Sequence, residues 1–207
     1  MQAFPGRALA FLSVAVSVYA LLAYSLAEPG ALVHPEMRPA FLEHADAIRV
    51  HAFAAIAALA LGPWQFSAAL RARRPRLHRV MGRAYLGVGV LAGGLSGLYL
   101  AQFAYGGAPA RLGFALLALA WLYSGWRAYA AIRAGDVRAH REWMTRNFAL
   151  TFAAVTLRLY VPAAAIAGLP FAASYAAIAW LCWLPNLAFA HWLTRRARIP
   201  QRSPAPA

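Results

Sequence analysis

Residues 159–194 read LYVPAAAIAGLPFAASYAAIAWLCWLPNLAFAHWLT, with no formal charge anywhere in the run. A helix crosses the hydrocarbon core of a bilayer in roughly 20 mainly apolar residues. This run is therefore too apolar for water and too long for a single span. Gly168, Leu169 and Pro170 divide it, because glycine and proline end a helix where neither a side chain nor an N–H supports it. The division predicts helices at about 147–167 and 171–193. Outward toward the N-terminus, residues 8–27, 50–70 and 84–105 are also uncharged, and 112–132 holds only Arg127 near one end. The reading is an all-α polytopic membrane bundle of about six helices, one domain over 1–194, with a short basic, proline-containing tail at 195–207.

The composition agrees. Hydrophobic residues make up 62% of the chain and charged residues 13%, outside the range of water-soluble domains. A formal net charge of +14 would suggest nucleic acid in a soluble protein. Here there is no basic helix interleaved with stacking aromatics, and nucleic acid is not an expected partner. All 20 basic residues are arginine, clustered between the apolar runs. Fifteen of them fall on one side if the N-terminus is inside: Arg7, six in 71–83, four in 133–146 and four in 195–202. Arg38, Arg49 and Arg111 fall on the other. Such asymmetry places both termini in the cytoplasm of a bacterial inner membrane, with the arginine loops against anionic lipid head groups. Ser25, Leu26 and Ala27 resemble a signal-peptidase site, but the apolar run before them is long for a leader, so an uncleaved anchor is expected. Cys182 stands alone in an apolar segment, so no disulfide framework or cysteine metal motif is expected.

Residues 68–79, AALRARRPRLHR, match 130–141, AAIRAGDVRAHR, at seven of twelve positions, an offset that also pairs Trp64 with Trp126 and His78 with His140. It spans two helices, so the copies point the same way. Helices two and three would then repeat as four and five about an axis along the membrane normal.

Arg158 stands inside the predicted fifth helix, near the bilayer midplane on these boundaries, and a charge there is costly unless paired. None of the six carboxylates lies in a predicted span. Pro162 frees the carbonyl of Arg158, and Pro185 beside Asn186 and Pro63 near Gln65 create comparable polar points. Arg158, His78, His140, Gln65 and Asn186 are thus candidate binding residues along a polar track open to the cytoplasm. On the other side, His51, His44 and His34 stand near Glu36, Glu43 and Asp46 and form a weak metal candidate, without a recognisable ligand spacing. Gly89, Gly93 and Gly97 recur every fourth residue and predict a close helix contact.

His51, GPWQF at 62–66, LHRVMGR at 77–83, and His140-Arg141 with WMTR at 143–146 together resemble the bacterial membrane-protein family known as domain of unknown function 2306. The resemblance implies a multi-helix inner-membrane protein. It implies no activity and no catalytic residues. Three functions stay open: binding of a small anionic or quinone-like ligand in the polar track, haem b ligation by His78 and His140, and a non-catalytic scaffold. Whether the chain is an enzyme is left open.

Overall fold

The computed structural model describes residues 6–197. Among them there are helices and connecting turns but no strand. The helices are α1 (Gly6–Leu26), α2 (Arg38–Glu43), α3 (Ala45–Gln65), α4 (Ala68–Arg73), α5 (Pro75–Ala84), α6 (Gly93–Ala101), α7 (Gly107–Arg133), α8 (Val137–Thr151), α9 (Ala153–Ile166), α10 (Phe171–Leu181) and α11 (Leu184–Arg196). A π-helical segment, Tyr85–Ala92, joins α5 to α6 without a break.

Five helices are long and apolar enough to cross a membrane: Gly6–Leu26, Ala45–Gln65, Pro75–Ala101, Val137–Ile166 and Phe171–Arg196. The other expected span, 112–132, lies within α7, which has 27 residues but is not one of these five. Its later turns carry Tyr123, Trp126, Arg127 and Tyr129, which lower its hydropathy. It packs against α6, α8 and α10.

Charges mark the water boundary, and the helices run past it. The second span begins at Ala45 rather than 50, taking in Asp46 and Arg49, whose side chains meet at 3.3 Å. It ends at Gln65, where Ser67 starts a new helix by accepting the N–H of Leu70 at 3.1 Å, as an N-cap does. The third span starts at Pro75 rather than 84, where proline lacks only an N–H that the first turn cannot use. The fifth starts at Val137, capped by Asp136, which accepts the N–H of Ala139 at 2.8 Å. Its interruption falls at Phe152, while Pro162 sits within α9. At Gly168 the chain turns with φ +69°, and the N–H of Leu169 closes on the carbonyl of Ala164 at 3.0 Å, a glycine-ended helix terminus. Most of the tail beyond Arg196 lies outside the described residues.

Outward faces carry Phe11, Val18, Val80, Leu119 and Trp192, each largely exposed. That arrangement suits a lipid solvent. Close contact inside relies on small residues: a Cβ on Gly89 would stand 2.7 Å from that of Ala58, and one on Gly93 would meet Trp121 at 3.0 Å. The glycine face therefore lets α3 approach the third span closely, as expected.

Candidate functional site

The expected polar track is divided between two ends of the bundle. Arg158 lies eight residues before the end of α9 at Ile166, roughly 12 Å at 1.5 Å per residue. The span is longer at its other end than the sequence suggests, running from Val137 to Ile166, so Arg158 lies past its middle, nearer the end that bears α2. Its charge is felt by Tyr24 of α1, His51 of α3 and Tyr175 of α10. All four side chains are half-buried.

Arg158 Nη1 donates to the carbonyl of Ala154 in its own helix at 2.9 Å. Among the described residues no other hydrogen bond or ion pair engages this guanidinium, which has five N–H donors. His51 Nδ1 lies 2.9 Å from the carbonyl oxygen of Gly93. With that nitrogen as the donor, Nε2 keeps a free lone pair. The hydroxyls of Tyr24 and Tyr175 have no hydrogen-bond partner among the described residues. Four polar groups from four helices thus share one region with their hydrogen-bonding capacity unspent. The sequence reading missed the two tyrosines, because aromatics near span ends read as interfacial anchors. Counting depth from the helix ends pairs Arg158 with His51 and would have found the region.

A recess of about 310 Å³ opens at the same end, lined by His34, Val161, Ala165, Phe171, Ser174 and Ile178 among others. Val161 and Ala165 continue the Arg158 face of α9 by one turn and two, and Ser174 and Ile178 flank Tyr175 on α10.

The metal candidates do not converge. His34 stacks on Phe171 with centroids 3.8 Å apart, His44 stacks on Phe103 at 3.9 Å, and His51 is held at Gly93. Each imidazole has a packing role of its own. Among the described residues no three histidine, cysteine or acidic side chains are grouped to hold an ion. Glu36 instead accepts the hydroxyl proton of Tyr105.

Asn186 donates to the carbonyl of Cys182 at 2.9 Å and to Thr156 Oγ1 at 3.3 Å. It restores order where Pro185 starts α11 and does not join Arg158. Gln65 and His78 lie at the arginine-loop end. Gln65 is buried, and its Oε1 lies against Gly82 of α5, one turn from His78. Both Gln65 Nε2 and His78 Nδ1 are buried without a partner, an arrangement that costs about 1–3 kcal/mol per group when nothing fills it. Arg71 Nη1 donates to the carbonyl of Gln65 at 3.0 Å. Burial, and then the charge of Arg141, hold the Arg71 guanidinium below its ordinary pKa. His78 lies within electrostatic reach of Arg71, His140 and Arg79, so the structure places the two histidines at the same end of the bundle. His140 Nδ1 is tied to the carbonyl of Ala128 at 2.8 Å.

Between the two ends lies a closed polar core that sequence reasoning did not single out. The Tyr85 hydroxyl reaches Asn147 Oδ1 at 2.7 Å and Thr151 Oγ1 at 2.8 Å. Trp121 Nε1 donates to Thr151 at 2.9 Å, and Asn147 Nδ2 donates to the Trp121 carbonyl and to Ser124, both at 2.8 Å. All five side chains are buried. Each polar group is matched, so this network binds the third, fourth and fifth long helices together rather than offering a site.

These features define a polytopic helical membrane protein. The family model described as "Predicted membrane protein (DUF2306)" matches residues 48–194, and the chain belongs to that family. No curated protein and no solved structure matches it.

Proposed function

We propose that the protein is a six-span protein of the bacterial inner membrane, with both termini cytoplasmic, that binds a small ligand with an anionic or quinone-like carbonyl head through Arg158. One observation carries this reading: a guanidinium inside an apolar span has a single hydrogen bond, to its own helix, and lies within electrostatic reach of His51 and of two tyrosines whose hydroxyls lack partners among the described residues. An unneutralised cation at that depth is costly. A ligand carboxylate or carbonyl would accept from the guanidinium fork and from the phenols together. The recess beside Val161 and Ala165 supports entry from the α2 end, rather than along a track from His78 and His140. The matched arginine loops support the orientation, and the 62-residue offset supports the tandem repeat.

The haem reading has weaker support. Fixing His140 Nδ1 on Ala128 would leave Nε2 for a metal, but His78 lies within electrostatic reach of Arg71, Arg79 and His140, whereas a porphyrin face needs apolar walls. The ligand reading is tested by tryptophan-fluorescence titration of the purified protein with decylubiquinone and, separately, with a fatty-acid carboxylate. Saturable binding of either, weakened at least ~tenfold in a folded Arg158→Lys variant because lysine lacks the planar fork, is the expected result. Absence of saturable binding by both probes overturns the proposal.

A further inference from the structure

The arginine-loop end holds a second constellation that the Arg158 site does not use. Arg71, Arg141, Arg79, His78 and His140 come from α4, α5 and α8, and the charges of Arg71 and Arg141 repel each other across the gap. Among the described residues, no carboxylate pairs with Arg71, Arg79 or Arg141. The two carboxylates of that end are engaged elsewhere: Asp136 caps α8, and Glu142 lies 3.7 Å from Arg138 and 3.8 Å from Arg146. A fold that gathers like charges without a counter-charge holds them against their mutual repulsion, and the repulsion falls when an anion enters.

An independent observation points to the same place. Gln65, 7% exposed, presents an amide nitrogen with no acceptor, and His78 presents a buried Nδ1 with no partner one turn away on α5. Arg71 is anchored to this spot by its bond to the Gln65 carbonyl and has further N–H groups to offer. An amide donor, two guanidinium forks and the His78 ring N–H match the several acceptor oxygens of a phosphate group, and His140, whose Nδ1–H is spent on the Ala128 carbonyl, adds an Nε2–H when protonated.

We propose that Arg71, Arg141, Gln65, His78 and His140 form a binding site for one phosphate group, at the junction of the two copies of the His-Arg motif. The phosphate comes from a phospholipid head group at the membrane surface or from free phosphate in the aqueous phase. The site is independent of Arg158 and stands if the Arg158 proposal fails.

The test uses the full chain in dodecyl maltoside micelles, which contain no phosphate, with thermal unfolding as the readout. One arm adds inorganic phosphate against chloride at equal ionic strength. The other adds phosphatidylglycerol against diacylglycerol with the same acyl chains. Saturable stabilisation by phosphate assigns the aqueous source, and stabilisation by phosphatidylglycerol alone assigns the lipid. In either arm Arg141→Gln, an exposed position whose loss does not threaten the fold, should raise the midpoint concentration at least ~tenfold. Gln65→Leu should do likewise, and Arg133→Gln, which removes the same charge from the end of α7, should leave the midpoint unchanged. The proposal is overturned if neither probe stabilises the protein, or if Arg133→Gln weakens the effect as much as Arg141→Gln.

Discussion

His51 Nδ1 lies 2.9 Å from the carbonyl oxygen of Gly93, and its ring fills the space above Gly97, where a Cβ would come within 3.0 Å of the imidazole. The two glycines thus fix both the tautomer and the position of a histidine inside a span, within electrostatic reach of Arg158. Gly97→Leu would push the ring off Gly93 and should cost about 1–3 kcal/mol, the usual range for overpacking. Gly87→Ala, where an added Cβ meets nothing within 4 Å, should be neutral or slightly stabilising. Thermal unfolding of both variants in detergent checks the contrast, and equal losses would show that the Gly97 notch is not specific to His51.

Tyr85 and Asn147 share a buried hydrogen bond of 2.7 Å inside a network with no spare donors. Tyr85→Phe should lose about 1–2 kcal/mol, because Asn147 Oδ1 is left without its donor. Asn147→Leu should lose more, since it also takes an amide N–H from Ser124 Oγ and another from the Trp121 carbonyl, which keep only their bond to each other. The double variant should lose less than the sum, by about 0.5–1.5 kcal/mol if the two act as a unit. Simple additivity would show that the contact is incidental to stability.

How much of this was legible in the sequence depends on what each residue reports. Uncharged runs report where lipid lies, and they located every long helix. They do not report where a helix begins, which is why 137–146, the first ten residues of α8, read as a loop: Arg138, Arg141 and Arg146 end the uncharged run, but Asp136 caps the turn and the helix continues through them. The glycine spacing at 89, 93 and 97 was informative because a missing Cβ has one consequence, close approach. Tyr24 and Tyr175 were not informative, because a tyrosine near a span end serves equally as an interfacial anchor or as a polar tip turned inward. The core of Tyr85, Asn147 and Thr151 was hidden for a different reason. Single polar residues on three helices acquire meaning only when the helices are assembled.

The arginine asymmetry makes a topological prediction. Reporter fusions after residue 75 and after residue 138 should register the cytoplasm, and one after residue 40 the periplasm. The arginines at 71–83 and 133–146 resist transfer across the membrane, whereas Arg38 and Arg49 stand among Glu36, Glu43 and Asp46. A periplasmic signal from either of the first two positions would reverse the orientation proposed for the phosphate site and for the recess beside Val161.

Three tyrosines separate a structural hydroxyl from one free for a ligand. Tyr85 spends its hydroxyl on Asn147 and Thr151, while those of Tyr24 and Tyr175 have no protein partner among the described residues. Removing a hydroxyl that protein groups do not use should cost little, so Tyr24→Phe and Tyr175→Phe should unfold within about 0.5 kcal/mol of the parent, unlike Tyr85→Phe. If the ligand completes the Arg158 site, each of these two variants should nevertheless bind decylubiquinone or the fatty-acid probe several-fold more weakly, the loss of roughly one hydrogen bond. Tyr85→Phe should leave the affinity of its folded fraction unchanged. The decisive readout is therefore a dissociation between stability and binding, measured on the same preparations. If Tyr24→Phe and Tyr175→Phe bind as the parent does while Arg158→Lys does not, the phenols stand aside and the ligand head is held by the guanidinium and His51 alone.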